Sequence, residues 1–262
     1  MSREGGRPPL PLALPAAVGF VFLVLPLGAL LVRAPYRRAG TALFSDESLQ
    51  ALRLSVVTAS VTTVLALVLG VPLAWMLARS DFRGRSIVRA VVLVPLVLPP
   101  VVGGVALLLA LGRRGVVGGP LFRAFGWSIP FTSAAVVIAQ LFVAMPFLIV
   151  TVEGALRGLD GRYDDAAATL GASRWFTFHQ VTLPMIAPGI TAGAALCWAR
   201  ALGEFGATIT FAGNYPGTTQ TMPIKVYLAL ETDPDAAIAL SLMLLLVSVV
   251  ILALLREKWL RV

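Results

Sequence analysis

The chain has 262 residues, 58% of them hydrophobic and only 13% charged, and its mean hydropathy of +0.89 lies far from the balance of a water-soluble domain. A net charge of +8 would suit nucleic acid, but the arginines fall in short segments between apolar runs, where positive residues set membrane topology, so the charge points to a bilayer. One histidine and one cysteine, His179 and Cys197, exclude an internal disulfide and leave no ordinary metal or hydrolase site.

Six stretches approach the roughly 20 apolar residues that cross ~30 Å of hydrocarbon: 12–32, 54–78, 87–111, 131–152, 186–210 and 236–255. They lack the alternation of barrel strands, and backbone groups in lipid must be satisfied within each segment, so the expected fold is an all-α bundle of about six transmembrane helices. The first run follows Arg3 and Arg7 but is longer than a signal-peptide core and lacks a small-residue cleavage site before "LLVRAPYRR"; it reads as a retained span. With the N-terminus inside, the inner segments hold twelve Lys/Arg and the outer loops eight, a bias that favours cytoplasmic N- and C-termini. The chain then divides into residues 1–53 (tail, first span and outer loop), a core of five spans over 54–255 and a C-terminal tail over 256–262.

The third span contains "VPLVLPPVVGG". Its prolines, Pro99 and Pro100 among them, free backbone groups and kink a helix, which is tolerable where the helix packs on protein or lines a cavity. A kink that serves packing alone, with no transport role, is the alternative.

Between the fourth and fifth spans lie about 33 residues, far more than a bundle turn needs. Asp160 is placed to cap a short helix whose Leu159, Tyr163, Ala166, Ala167 and Leu170 share one face. Gly171 follows where a left-handed residue would end it, and Ser173 can cap a second short helix running to about Thr182, before Pro184. Taken alone, this helix–turn–helix would suit a pair resting on lipid headgroups, with Trp175, Phe176 and Phe178 at the interface.

In the fifth span Arg200 and Glu204 stand four apart, on one helical face, and can pair. Charges inside a membrane cost ~2.5–3.5 kcal/mol each on insertion scales and normally face a bundle interior or a pathway. A bridge that only fixes helix packing is the alternative to a gating role.

Nucleotide chemistry has no seat in this chain. Its lysines, Lys225 and Lys258, lie outside any G-x-x-x-x-G-K-[ST] context, and "GASRW" around Ser173 lacks the second glycine and the preceding strand of a nucleophile elbow.

From Asp165 the sequence reads Asp-Ala-Ala, three residues, Gly171, nine residues, then Val181, Thr182, Leu183, Pro184. This spacing resembles the cytoplasmic EAA loop of ATP-binding-cassette (ABC) importer permeases, E-A-A-x-x-x-G-x(9)-I-x-L-P, with Asp165 for Glu and Val181 for Ile. The resemblance implies a type I importer bundle whose loop, 153–185 here, docks on a separate ATPase through Asp165, Ala166, Ala167, Gly171, Val181, Leu183 and Pro184. From about Leu49 to Leu255 the chain is similar to the molybdate permease subfamily. "LGEFG" and "AGN-x-P" recur in the related sulfate permeases, while "GTTQTMP" followed by Tyr227 and "ALE" leans to molybdate; Lys225 stands where that pattern has a small or apolar residue.

The resemblance implies a non-enzymatic transport subunit of a bacterial or archaeal inner membrane, moving a tetrahedral oxyanion, molybdate or tungstate. It implies a homodimer, a cytoplasmic ATPase dimer that binds the ATP and Mg this chain does not hold, and an extracytoplasmic molybdate-binding protein. Pro99, Pro100, Arg200, Glu204, Thr208 and Asn214 are the expected path or gate residues. A sulfate or thiosulfate permease is the alternative within the class. A self-sufficient channel would leave the loop spacing unexplained, and a membrane-embedded enzyme would need a convergent polar site that is not evident.

Overall fold

The computed structural model describes residues 10–36 and 43–256. The N-terminal tail with Arg3 and Arg7, the segment with Arg37 and Arg38 that was expected in an outer loop, and the C-terminal tail with Lys258 and Arg261 lie outside the described residues.

Helix α1, Leu10–Val32, is the expected first span, exposed along nearly its whole length. Helix α2, Asp46–Arg79, begins where Ser45 accepts a hydrogen bond from the Ser48 amide at 3.3 Å and Asp46 and Glu47 face the positive end of the helix dipole. Its buried face is a row of small residues, Ser55, Ala59, Thr62, Ala66, Gly70 and Ala74, which lets the backbone of a neighbour approach.

That neighbour is α6, Ser133–Gly158: a Cβ on Gly70 would lie 2.9 Å from Leu148 Cδ2. The fifth span packs on α6 by the same device, since a Cβ on Gly189 would lie 2.5 Å from that of Ala155. α2, α6 and the fifth span share one core around Leu77, Leu148, Ile149, Leu156 and Trp198.

The third span is not a kinked rod. It is two helices, α3 (Arg85–Val97) and α4 (Pro100–Leu111), with the chain bent by 119° between them. A proline disfavours helical backbone in the residue before it, and here Leu98 precedes Pro99 and Pro99 precedes Pro100. Both are extended, with ψ of 130° and 131°, and Pro100 then starts the next helix, where its missing N–H is harmless. Beyond α4, a short helix α5 (Gly118–Phe125) ends at Gly126 with φ +70°.

The fifth span also departs from expectation: it is helical to Leu202, and Gly203–Phe205 separate it from a short helix, Gly206–Ala212. Helices Met222–Thr232 and Pro234–Arg256 complete the bundle. In chain order α7 is Arg162–Thr169, α8 Arg174–Thr177, α9 Leu183–Leu202, α10 Gly206–Ala212, α11 Met222–Thr232 and α12 Pro234–Arg256. Among the described residues, five helices are long and apolar enough to cross a membrane, six if the bent pair α3–α4 is one span.

Candidate functional site

The polar loop folds much as its residues dictate. The cap position of α7 belongs to Gly161, not to Asp160 as expected, but Asp160 still serves it: its Oδ1 accepts the Arg162 amide at 3.0 Å. At the other end Gly171 takes φ +77°, its N–H reaches Ala168 O and the Ala172 N–H reaches Ala167 O, each at 3.0 Å, a pairing that satisfies two of the helix's last carbonyls. Ser173 accepts from the Phe176 amide at 3.2 Å and starts α8.

The second helix does not stop before Pro184. α8 runs through a π-helical turn, Phe178–Thr182, directly into α9, a continuous helical stretch from Arg174 to Leu202. A proline ring clashes with the carbonyl four residues before it, and the widened turn ahead of Pro184 relieves that clash without ending the helix.

The apolar side of α7 faces outward. Tyr163, Ala166 and Leu170 are exposed, Leu170 at 88%, and only Ala167 is buried. With Gly171, Phe176 and Val181 they border a cleft of about 720 Å³. Of the other expected docking residues, Asp165 and Pro184 are exposed and Leu183 is half-buried. A large apolar surface around a concave cleft is the signature of a protein or lipid contact.

Behind this surface lies a charge cluster that the sequence reading did not single out. Glu153, 7% exposed, pairs with Arg89 of α3 and, at 2.9 Å, with Arg157 one turn along α6. Arg85 Nε and Arg89 Nη2 also donate to Leu77 O, at 2.9 and 3.3 Å, so the cations satisfy the carbonyl end of α2. The i,i+4 spacing of Glu153 and Arg157 was a visible signal; the α3 partner was not.

In the fifth span Arg200 and Glu204 pair, with Nη1 of the arginine 2.6 Å from Oε2 of the glutamate. Glu204 lies in the break after α9 and not on the helix face, its side chain 1% exposed, and its Oε1 accepts the Ala207 amide at 2.9 Å at the start of α10. The carboxylate is thus hydrogen-bonded through Oε1 alone, while Oε2 is in charge contact with the guanidinium without a hydrogen bond, and the Arg200 side chain is 27% exposed.

The two helix breaks meet. A Cβ on Gly206 would stand 3.0 Å from Pro100 Cβ, and one on Gly104 would stand 2.7 Å from Thr210 Cβ and 2.9 Å from Ala207 O. Pro99, Pro100, Glu204 and Thr208 therefore belong to one region. Thr208 is fully buried and its hydroxyl has no hydrogen-bond partner. Asn214 is exposed on the loop that follows Gly213.

A family model described as the binding-protein-dependent transport system inner membrane component matches residues 70–262. The chain is 50% identical over 226 residues to the molybdenum transport system permease protein ModB of Mycobacterium tuberculosis, covering 86% of this chain and 84% of that protein. It is 39% identical over 218 residues to the protein of the same name from Escherichia coli K12, covering 83% and 95%. Among solved structures, a bacterial ABC transporter that imports the acidic polysaccharide alginate superposes with a TM-score of 0.77 at 18% identity, over 96% of this chain and 94% of that one. At that identity the likeness concerns the fold.

Proposed function

The chain belongs to the family of binding-protein-dependent transport system inner membrane components, and from that membership we propose that it is the membrane-spanning permease subunit of an ATP-driven molybdate importer. The identity of 50% over most of both chains to a molybdenum permease carries the choice of ion. The family is one of transport subunits and not of enzymes, so ATP hydrolysis falls to a partner.

On this reading two copies pair around the pathway, with both termini in the cytoplasm, an ATPase dimer inside and a molybdate-binding protein outside. The outward apolar cleft beside α7 supports docking of the ATPase through Asp165, Ala166, Ala167, Gly171, Val181, Leu183 and Pro184. Closure of the ATPase on ATP draws the two loops together, and the helices that continue from them turn the pathway outward.

The path residues are Pro99, Pro100, Arg200, Glu204 and Thr208, with Asn214 on the outer approach. Glu204 neutralises Arg200 in part and holds it in place, while the exposed part of the guanidinium keeps donors for a passing oxyanion.

The test is uptake. Cells lacking the protein lose molybdoenzyme activity at trace molybdate and regain it when the salt is in excess. Normal activity at trace molybdate together with a defect in sulfate assimilation would move the assignment to sulfate.

A further inference from the structure

We propose that the ion pair between Arg79 and Asp164 is a strut that carries movement of the docking loop into α2, and that the two residues are positioning residues for coupled transport. The inference rests on the docking role given to α7 above.

Four elements converge on this pair. Arg79 occupies the last turn of α2, and its Nη1 lies 3.2 Å from Asp164 Oδ2 on α7. The Arg79 Nη2 donates to Leu159 O at 3.4 Å, at the end of α6. The other Asp164 oxygen accepts from Thr182 Oγ1 at 3.5 Å, in the π-helical turn that leads into α9. Asp165, beside it in sequence, is exposed instead.

The covalent route from α7 reaches only α6, through Leu159–Gly161, and the segment leading to α9, through Gly171–Ser173. Each connection contains a glycine and gives little stiffness. α2 has no covalent link to the loop; besides the strut it meets the segment through Trp75, edge-on to Phe178 with ring centroids 6.0 Å apart.

Yet α2 is the longest helix, and it reaches the far side of the bundle. From Arg79 to Ser48 it spans about 46 Å at 1.5 Å per residue. Near that far end Ser55 Oγ accepts the Met222 amide at 2.7 Å, and Glu47 pairs with Lys225 at 3.0 Å, both on α11. A push delivered to Asp164 is thereby passed along one continuous helix, with Pro72 inside it, to α11 on the opposite side. The side chains are 20% and 37% exposed, so solvent offsets part of what the pair contributes to stability, and its removal is expected to leave the bundle assembled.

A double-mutant cycle with Arg79→Met and Asp164→Asn tests the strut in the full transporter, reconstituted with its ATPase and binding protein. Two quantities are read: co-purification of the ATPase, and molybdate taken up per ATP hydrolysed. The expected result is undiminished co-purification, a loss of about fivefold in uptake per ATP for each single variant, and no further loss in the double variant, because each change removes the same link. Wild-type uptake per ATP in both single variants overturns the proposal, as do additive losses. Loss of co-purification in either single variant also overturns it, since the pair would then serve assembly. Failure of the unmodified chain to co-purify with an ATPase refutes the docking role instead, independently of the cycle.

Discussion

The two ends of the bundle handle charge differently. In the break between α9 and α10, Glu204 has one guanidinium and one amide, and its side chain is 1% exposed. At the opposite end Arg79, Arg85, Arg89 and Arg157 share Glu153, Asp164, Asp81 and the carbonyls of Leu77, Ala78 and Leu159. Deep in an apolar interior a carboxylate needs every partner it has, because none can be replaced by water. In the arginine-rich cluster Glu153 is buried too, but Arg79, Arg85 and Arg89 each have a backbone carbonyl beside their carboxylate, so a neighbouring acceptor stands in for a lost partner and the geometry tolerates change. The first arrangement is brittle; the second is redundant and suited to a part that moves.

The largest expected effect is therefore at Glu204. Arg200→Met strands a buried carboxylate, and breaking a buried pair costs about 3–5 kcal/mol, so assembled complex should nearly vanish on purification. The double change with Glu204→Gln should recover part of that yield. An undiminished yield of the Arg200→Met variant would show that this pair is as replaceable as those of the arginine-rich cluster and would remove the contrast.

Next comes packing where the two breaks meet. Gly104→Val places its first carbon 2.7 Å from Thr210 Cβ and close to backbone, so thermal unfolding of the purified protein should move down by an amount corresponding to about 1–3 kcal/mol. Gly171→Val differs in kind. Nothing lies within 4 Å of its added carbon, but φ of +77° costs a β-branched residue about 1–2 kcal/mol locally. Insertion should survive while ATPase binding and transport-coupled hydrolysis fall; wild-type values of both would end the docking assignment.

Glu153→Gln should cost less than the Glu204 pair, about 1–3 kcal/mol in thermal unfolding, because Arg89 retains Leu77 O. Lys225→Met should do least, under about 1 kcal/mol, since its partner Glu47 is 74% exposed. A larger loss there would mean that the α2–α11 contact matters to stability and not only to transmission.

Much of this was legible in the chain itself. Hydropathy located the spans, Gly171 and Ser173 marked their turn and cap, and the Asp165 to Pro184 spacing marked the loop, because each depends on near neighbours: span length, φ > 0, a hydroxyl three residues before an amide. The i,i+4 spacing likewise anticipated the Arg200 and Glu204 pair. Other features needed the fold. Two consecutive prolines imply a disruption, but whether the third span kinks or folds back by 119° depends on α4 finding a seat against α6 and α10, which Gly103 and Gly104 provide. Whether Pro184 ends a helix or is absorbed by a π-helical turn depends on what α8 and α9 pack against. Arg79 and Asp164 are 85 positions apart, and Arg89 and Glu153 are 64 apart, so no local pattern joins them. Local rules determined where the chain turns and what can cross a membrane; only packing decided which distant charges meet, because burial makes pairing obligatory without naming the partner.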